Sequence, residues 1–454
     1  MPLLFNFLII LLAAIYYIYT SQSVFAVSLL CIYILGIVFC WIFGKKKKDV
    51  IYIFSLFFLI YGVLLILTQW IFIDGNQEMS YGHYMDYFNH SDASGSFYHT
   101  AVLDAGPKSW DNLLANTLLF SFYSDYPLFS LMINALHLFG IDIGVSDENM
   151  RMFLRMPNLF FAAGLLVIMA RYFNEIGKSS KQTIHDCTIF GIFTYLFLTS
   201  VVFTRDLHVA FFYTLTGYYC LSPAKHRLIY LKFFLIALIC FGLRPENGMF
   251  AMIFPVYYYF KNTPLNAKMI IGGLCALVIF IYIGALDTFV TAHEGFNEHT
   301  KSVAGGGLYS LFNSLPFPLS SVFNIVYSFI MPFPLTMYIV DPHIGIFGLP
   351  SVVMPFINVI MVGCLVFFIS RHRKDYRVLW FFILTVLFIA MTTTIEPNVR
   401  RTFAMIPALY MIFIEIKPFI PRRRYKQIVN NSILFLITLN IPAIIYLLFK
   451  GKLL

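Results

Sequence analysis

Charge is what this sequence has least of. Lys, Arg, Asp and Glu make up 12% of its 454 residues, about half the share found in soluble proteins. A chain so poor in charge cannot surface a water-soluble globule. With 51 Phe and 29 Tyr it cannot stay solvated as a disordered one either. Cysteine is scarce too. The seven, at positions 31, 40, 187, 220, 240, 275 and 364, fall in or beside apolar stretches, with no metal-ligand spacing and no loop pairs. They read as small core residues, not as a disulfide framework or a zinc module. No HExxH-type spacing occurs anywhere. The first 19 residues lack a basic n-region and a small-residue cleavage site, so they read as a span and not as a signal peptide. No internal repeat emerges, which weighs against an inverted-repeat transporter.

What the sequence has is apolar length. Sixty per cent of it is apolar, in recurring runs of roughly twenty residues, each long enough to cross about 30 Å of hydrocarbon. The expectation is an all-α, polytopic membrane protein with about 13 transmembrane helices plus re-entrant or interfacial ones. The spans are expected near 3–20, 23–43, 50–72, 152–171, 187–204, 207–221, 229–243, 247–260, 269–287, 351–370, 378–394, 402–416 and 432–449. The net charge of +9 does not point to nucleic acid, because the cations sit in short clusters beside hydrophobic ends. These are residues 45–48; Arg171, Lys178 and Lys181; Lys225, Arg227 and Lys232; Lys261 and Lys268; Arg371, Arg373, Lys374 and Arg377; and Lys417, Arg422, Arg423, Arg424 and Lys426. They hold about two-thirds of all Lys and Arg and lie at alternate connections, which assigns them to the cytoplasm. For Thr288 and Arg371 to lie on opposite sides, residues 309–347 must cross twice or re-enter, and Pro316, Pro318, Pro332 and Pro334 suit such a broken hairpin.

The opposite face then carries two long loops, residues 73–151 and 288–350, with most of the acids and histidines. Loops of that size are usually functional. Within the first, residues 127–140 read as an amphipathic helix along the membrane surface, or as a re-entrant half-helix. Ahead of it stand Asp74, Glu78, His83, Asp86, Asp92, His99, Asp104 and Asp125, each by itself an ordinary solvated loop residue. Charged groups also recur where spans meet this face: Arg205-Asp206, Arg244-Pro-Glu246-Asn247 and Glu396-Pro-Asn398-Val-Arg400-Arg401. A charge costs roughly 2.5–3.5 kcal/mol at mid-membrane and less at the edge. Repeating such groups at one leaflet therefore implies either mutual pairing or a shared anionic ligand. Guanidinium is the side chain best shaped to grip a phosphate with two hydrogen bonds.

The order of these pieces is distinctive. An acid precedes Tyr98-His-Thr-Ala101; Tyr126-Pro127 and Phe139-Gly140 follow; Arg155-Met-Pro-Asn158 opens a span ending in Ala170-Arg171. Then come Phe203-Thr-Arg-Asp206, Leu243-Arg-Pro-Glu-Asn-Gly248, and Arg400-Arg-Thr-Phe-Ala-Met-Ile-Pro407. This succession, over roughly residues 50–416, resembles the GT-C superfamily of integral-membrane glycosyltransferases, in particular the protein O-mannosyltransferase and lipid A aminoarabinose transferase branch. The resemblance implies a GT-C-like core over 50–416, an N-terminal transmembrane hairpin over 1–49, and a basic cytoplasmic loop and last helix over 417–454. It implies sugar transfer from a polyprenyl-phosphate-linked donor to a glycan, lipid or protein acceptor, at a site on the periplasmic or extracellular side of an inner or plasma membrane. Carried over by motif, the catalytic acid is Asp92, with Asp86 and Asp74 behind it. Arg244, Arg400, Arg401 and Arg205 fall to the donor phosphate, with Asp206, Glu246, His99 and Asp125 in support. The sequence departs from the family in the longer spacing from Asp92 to its Tyr-x-x-Ala, in having Asp125 where relatives carry Lys, and in the two extra leading spans. A requirement for a divalent cation is left open.

Two other functions fit the composition. A polysaccharide repeat-unit polymerase is also a many-span protein with large outer loops and essential arginines; a lipid or polysaccharide flippase is the alternative from another class. The topology itself is testable in a background lacking the native cysteines. Lys48→Cys is expected to react with a membrane-impermeant maleimide only after permeabilisation, and Asp92→Cys in intact cells. Labelling of both from the same side would refute the orientation.

Overall fold

The structure is a computed structural model. It describes residues 2–44, 47–70, 109–113, 127–202, 205–224, 226–262, 319–330, 345–372, 374–395 and 402–449. Among these the chain is all-helical, 88% helix with no strand. Four helical stretches, Ser23–Phe43, Lys48–Thr68, Asp147–Glu175 and Val353–Arg371, are long and apolar enough to cross a membrane.

Two compact units divide the chain, Met1–Ala251 and Met252–Leu454. The first contains α1 (Pro2–Thr20), α2 (Ser23–Phe43), α3 (Lys47–Thr68), α4 (Pro127–Asp142), α5 (Asp147–Arg155) and α6 (Pro157–Glu175). It continues with α7 (Ser180–Phe193), α8 (Tyr195–Thr199), α9 (Asp206–Leu221), α10 (Ile229–Leu243) and α11 (Pro245–Ala251). The N-terminal hairpin α1–α2 packs on α3, and α2 also on α6, so it belongs to this unit and is not a separate layer.

α2 shows what kind of surface these helices carry. Phe25, Leu29, Tyr33, Gly36 and Cys40, spaced three or four apart, are buried, while Val27, Ile34, Leu35, Trp41 and Ile42 on its other side are exposed. A helix apolar all round is either a core helix or one facing lipid, and this one has an open side. Many buried hydroxyls are satisfied within the fold, as apolar surroundings favour. Tyr16 donates to the Gly62 carbonyl at 2.9 Å, Tyr61 to that of Gly191 at 2.9 Å, and Thr214 to its own helix at Ala210, 2.6 Å away.

Side-chain contacts fix the helix directions. Phe5 meets Tyr52 near the N-terminal ends of α1 and α3, so these two run parallel. Arg171 of α6 donates to the Phe43 carbonyl at the end of α2, and Tyr218 of α9 to Glu175 at the end of α6. These three helices therefore run the other way. Lys48, Arg171, Lys178, Lys181, Arg227 and Lys232 consequently all fall at one end of the unit, where the sequence places a single side. At that end Gly177, with φ +85°, closes α6: the Lys178 N–H reaches back to the Phe173 carbonyl at 3.0 Å, a left-handed turn that suits glycine. A Ser179–Gln182 capping box then starts α7.

The expected span 152–171 lies within the single apolar stretch Asp147–Glu175, where Met156 keeps helical backbone between α5 and α6 and Pro157 opens α6. Two other expected spans are interrupted. Residues 187–204 break at Thr194, whose hydroxyl both donates to the Phe190 carbonyl at 2.6 Å and accepts from Leu196 N–H at 3.3 Å. Residues 247–260 break at Met252 into pieces of seven and eight residues, each roughly 10–12 Å long and unable to cross alone. The expected helix over 127–140 is present as α4.

In the second unit lie α12 (Ile253–Phe260), α13 (Leu319–Ile330), α14 (Gly345–Arg371), α15 (Tyr376–Ile395), α16 (Ile406–Ile416) and α17 (Arg422–Phe449). α14 packs against α13, α15, α16 and α17. α17 starts ten residues before the expected span at 432, so Arg422, Arg423, Arg424 and Lys426 are helical and not loop. The expected span 269–287 lies outside the described residues, as does the expected re-entrant segment 309–347 apart from α13 and the first three residues of α14.

One glycine in the first unit has no room for a side chain. α11 folds back on α10 so closely that a Cβ on Gly248 would lie 2.3 Å from Phe241 Cα and 2.5 Å from its backbone nitrogen. Backbone cannot step aside, so Gly248→Ala is expected to cost about 1–3 kcal/mol. The check is a lower thermal unfolding midpoint in detergent; an unchanged midpoint would refute this packing.

Candidate functional site

The end of the first unit opposite its basic cluster gathers charged and amide side chains from five segments. α3 finishes in a π-type turn at Gln69 and Trp70. There Gln69 Oε1 accepts a hydrogen bond from the Arg155 guanidinium at the end of α5. The same guanidinium donates to the Val201 carbonyl at 3.2 Å and, through Nε, to the Arg151 carbonyl at 3.2 Å. One helical turn on, Asn158 Nδ2 donates to the Val202 carbonyl at 2.7 Å. Arg155 and Asn158 thus hold the link between α8 and α9, and both are buried.

That link leads directly to Arg205 and Asp206 at the start of α9. An acid in the first turn of a helix meets unpaired N–H groups and the positive end of the dipole. Asp206 Oδ1 also accepts from Arg244 NH1 at 3.1 Å, while Arg244 Nε donates to Glu246 Oε1 at 2.7 Å. Arg244 is 4% exposed. It sits in extended backbone between α10 and α11, the conformation that Pro245 imposes on the residue before it. Tyr213 of α9 locks the same turn by donating to the Asn247 carbonyl at 2.6 Å. Beside Asp206, His208 lies between two rings, 4.3 Å from that of Phe161 and 5.8 Å from that of Phe129 of α4.

Of the two possibilities open for Arg244, pairing or an anionic ligand, pairing is realised, and with two carboxylates. Arg244, Asp206 and Glu246 together carry one net negative charge. The cluster is an ionic scaffold at a helix end, partly open through Glu246, whose side chain is 22% exposed.

The structure thus brings together Asp206, Arg244 and Glu246, with Arg205 preceding Asp206 in the chain. The remaining candidates, Asp74, Asp86, Asp92, His99, Asp125, Arg400 and Arg401, lie outside the described residues. What the sequence did not rank as site residues are Arg155 and Asn158, noted only as the opening of a span. The available signal was a cation just before a proline at the start of an apolar run. Among the described residues no group of three or more His, Cys, Asp or Glu side chains is arranged to hold a metal ion.

The opposite end offers a contrast. Glu175 accepts from Ser222 Oγ at 2.6 Å, Tyr218 OH at 2.8 Å and Arg171 Nε at 3.1 Å. Arg171 also lies over the rings of Phe43 and Tyr218, at 4.6 and 5.2 Å. Both carboxylate oxygens of Glu175 are thus engaged within the fold, which is the arrangement of a structural knot.

Removing one member of a buried ionic group leaves the others uncompensated, at about 3–5 kcal/mol. Arg244→Ala is expected to cost that much, with loss of folded protein on extraction. Combining Arg244→Met with Asp206→Asn and Glu246→Gln should recover most of it. Thermal unfolding of the two variants decides: equal destabilisation would refute charge balance as the cause. Comparison with protein-family models, with curated proteins and with solved structures returns no match.

Proposed function

We propose that this chain is a multi-pass integral-membrane glycosyltransferase, moving a sugar from a polyprenyl-phosphate-linked donor to a glycan, lipid or protein acceptor on the non-cytoplasmic face. The observation that carries this reading is the buried Arg244, clasped by Asp206 and Glu246 at the helix end opposite the basic cluster. The loop with Asp74, Asp86 and Asp92 begins immediately after Gln69, the residue that Arg155 holds at that same end. This order in the sequence supports assigning the acids and the guanidinium cluster to the same face. Transfer chemistry asks for that combination.

Attack of an acceptor hydroxyl on an anomeric carbon needs a base within about 3 Å of the hydroxyl. It also needs donors that stabilise the departing phosphate as its charge grows, and these are worth most in a partly dry site. In this reading Asp92 is the base, with Asp86 and then Asp74 as the alternatives for that role. Arg400, Arg401 and Arg205 hold the phosphate. Arg244 serves from behind, fixing Asp206 and the start of α9 so that Arg205 is presented at a set position. The isoprenoid tail lies against apolar helix faces while its phosphate stands at the membrane edge, which accounts for cations at span ends. The thirteen-span topology and an inner- or plasma-membrane location belong to the same proposal.

Asp92→Asn and Arg400→Ala are each expected to abolish transfer, a loss of at least about a hundredfold, with normal expression and insertion. Mass spectrometry of lipid-linked and surface glycans from a deletion strain, complemented with each variant, reads the outcome. A single missing sugar in all non-complementing strains supports transfer. Loss of every repeat unit identifies a polymerase, and full complementation by both variants removes the assigned residues from the chemistry.

A further inference from the structure

We propose that the second unit carries, at its own basic end, a binding site for the phosphate headgroup of an anionic lipid. This does not rest on the transfer reaction proposed above. Between the end of α12 and the turn from α14 to α15 lies an open groove of ≈ 440 Å³ lined by Asn262, His372, Lys374, Asp375, Tyr376 and Arg377. That volume lies within the range of small-ligand sites. Five of the six lining side chains are able to donate a hydrogen bond to a phosphate oxygen.

The acid among them is already engaged. Asp375 Oδ1 accepts from the Val378 N–H at 3.3 Å, capping the first turn of α15. The 20-residue α15 also turns its positive, N–H-bearing end toward this wall. Arg377 is held in place by Glu415, and its backbone carbonyl accepts from Tyr257 OH at 3.2 Å, so one wall of the groove is fixed to α12. Lys374 and His372 stand exposed. The anion-binding groups thus combine a clamped guanidinium and a helix end with an exposed ammonium.

The surroundings favour a lipid over a dissolved phosphate. His372 stacks on Phe368 at 4.3 Å, Phe368 meets Phe419 at 6.2 Å, and Phe419 is 63% exposed. On the α12 side Lys261 lies 4.1 Å from the Tyr258 ring, next to Tyr259 at 70% exposure. Exposed aromatic rings beside cations mark the level of the headgroups. A phosphate in this groove would leave its acyl chains running past Phe419 and Tyr259 into hydrocarbon. Basic pockets between helices on the basic side of membrane proteins suit such headgroups on electrostatic grounds.

The test uses the purified full chain in neutral detergent, with native mass spectrometry counting bound lipid after exposure to equimolar phosphatidylglycerol and phosphatidylcholine. The expected result is selective retention of phosphatidylglycerol, weakened about five-fold by Lys374→Gln, weakened also by His372→Gln, and restored by Lys374→Arg. Both residues are exposed, and the wild-type comparison of the two lipids needs no variant. Retention of both lipids alike, or phosphatidylglycerol binding unchanged in Lys374→Gln, overturns the site. Displacement by millimolar inorganic phosphate together with no preference between lipids keeps the phosphate chemistry but overturns the lipid as its source.

Discussion

A guanidinium cannot be left alone in apolar surroundings, and Arg244 is where this fold meets that constraint most directly. With 4% of its surface exposed, it has lost its water and must find acceptors in the chain. It finds two carboxylates, one two residues away and one at the head of α9, 38 residues earlier. Those bonds set where α9 starts relative to the turn after α10. The turn in turn lets α11 fold back until only glycine fits between it and Phe241. Isolated charges this far from water cost far more than any single contact returns, so the arrangement has little freedom to slip.

The two ends of the first unit solve the same problem differently. Around Glu175 the partners are a tyrosine, a serine and an arginine that also covers two rings, and the group is closed on itself. At the other end the partners are backbone carbonyls of 201 and 202, a glutamine from the π-type turn of α3, and acids at helix starts. Those are segment ends, and the chain passes from them into its longest acid-rich stretches. A helix end whose polar groups hold loop entrances in register is a natural place for chemistry, because loops carry reactive groups while packed helices position them.

How much of this was legible depends on what the sequence has to separate. Helix α10 is bounded as expected, 229–243, because an apolar run stops at Arg244-Pro245, and so is α2, between Gln22 and Gly44. Composition hides the break at Thr194, since the residues on both sides are apolar and the signal is one hydroxyl that closes one helix and caps the next. Hydropathy also hides the first ten residues of α17: their arginines read as loop although they are good helix formers after Pro421. In the cluster, the pairing of Arg244 with Glu246 is a local matter and was foreseeable. Its bond to Asp206 requires knowing that α9 and α10 are antiparallel neighbours. The Arg155–Gln69 bond spans 86 positions, and nothing in either segment's own pattern announces it.

The cations of this chain divide by what surrounds them, not by type. Lys48 and Lys181 stand exposed in the first turns of their helices, and for orientation in a bilayer such a position is sufficient. Arg155, Arg171 and Arg244 are enclosed, and each makes bonds to more than one segment, so their work is to fix geometry. Arg377 and Lys374 combine the two arrangements, one clamped by Glu415 and the other exposed beside an open groove. A clamped guanidinium supplies direction and an exposed ammonium supplies capture. Such a division suits an anion that must arrive and leave, and it distinguishes a binding site from both a topology signal and a structural knot.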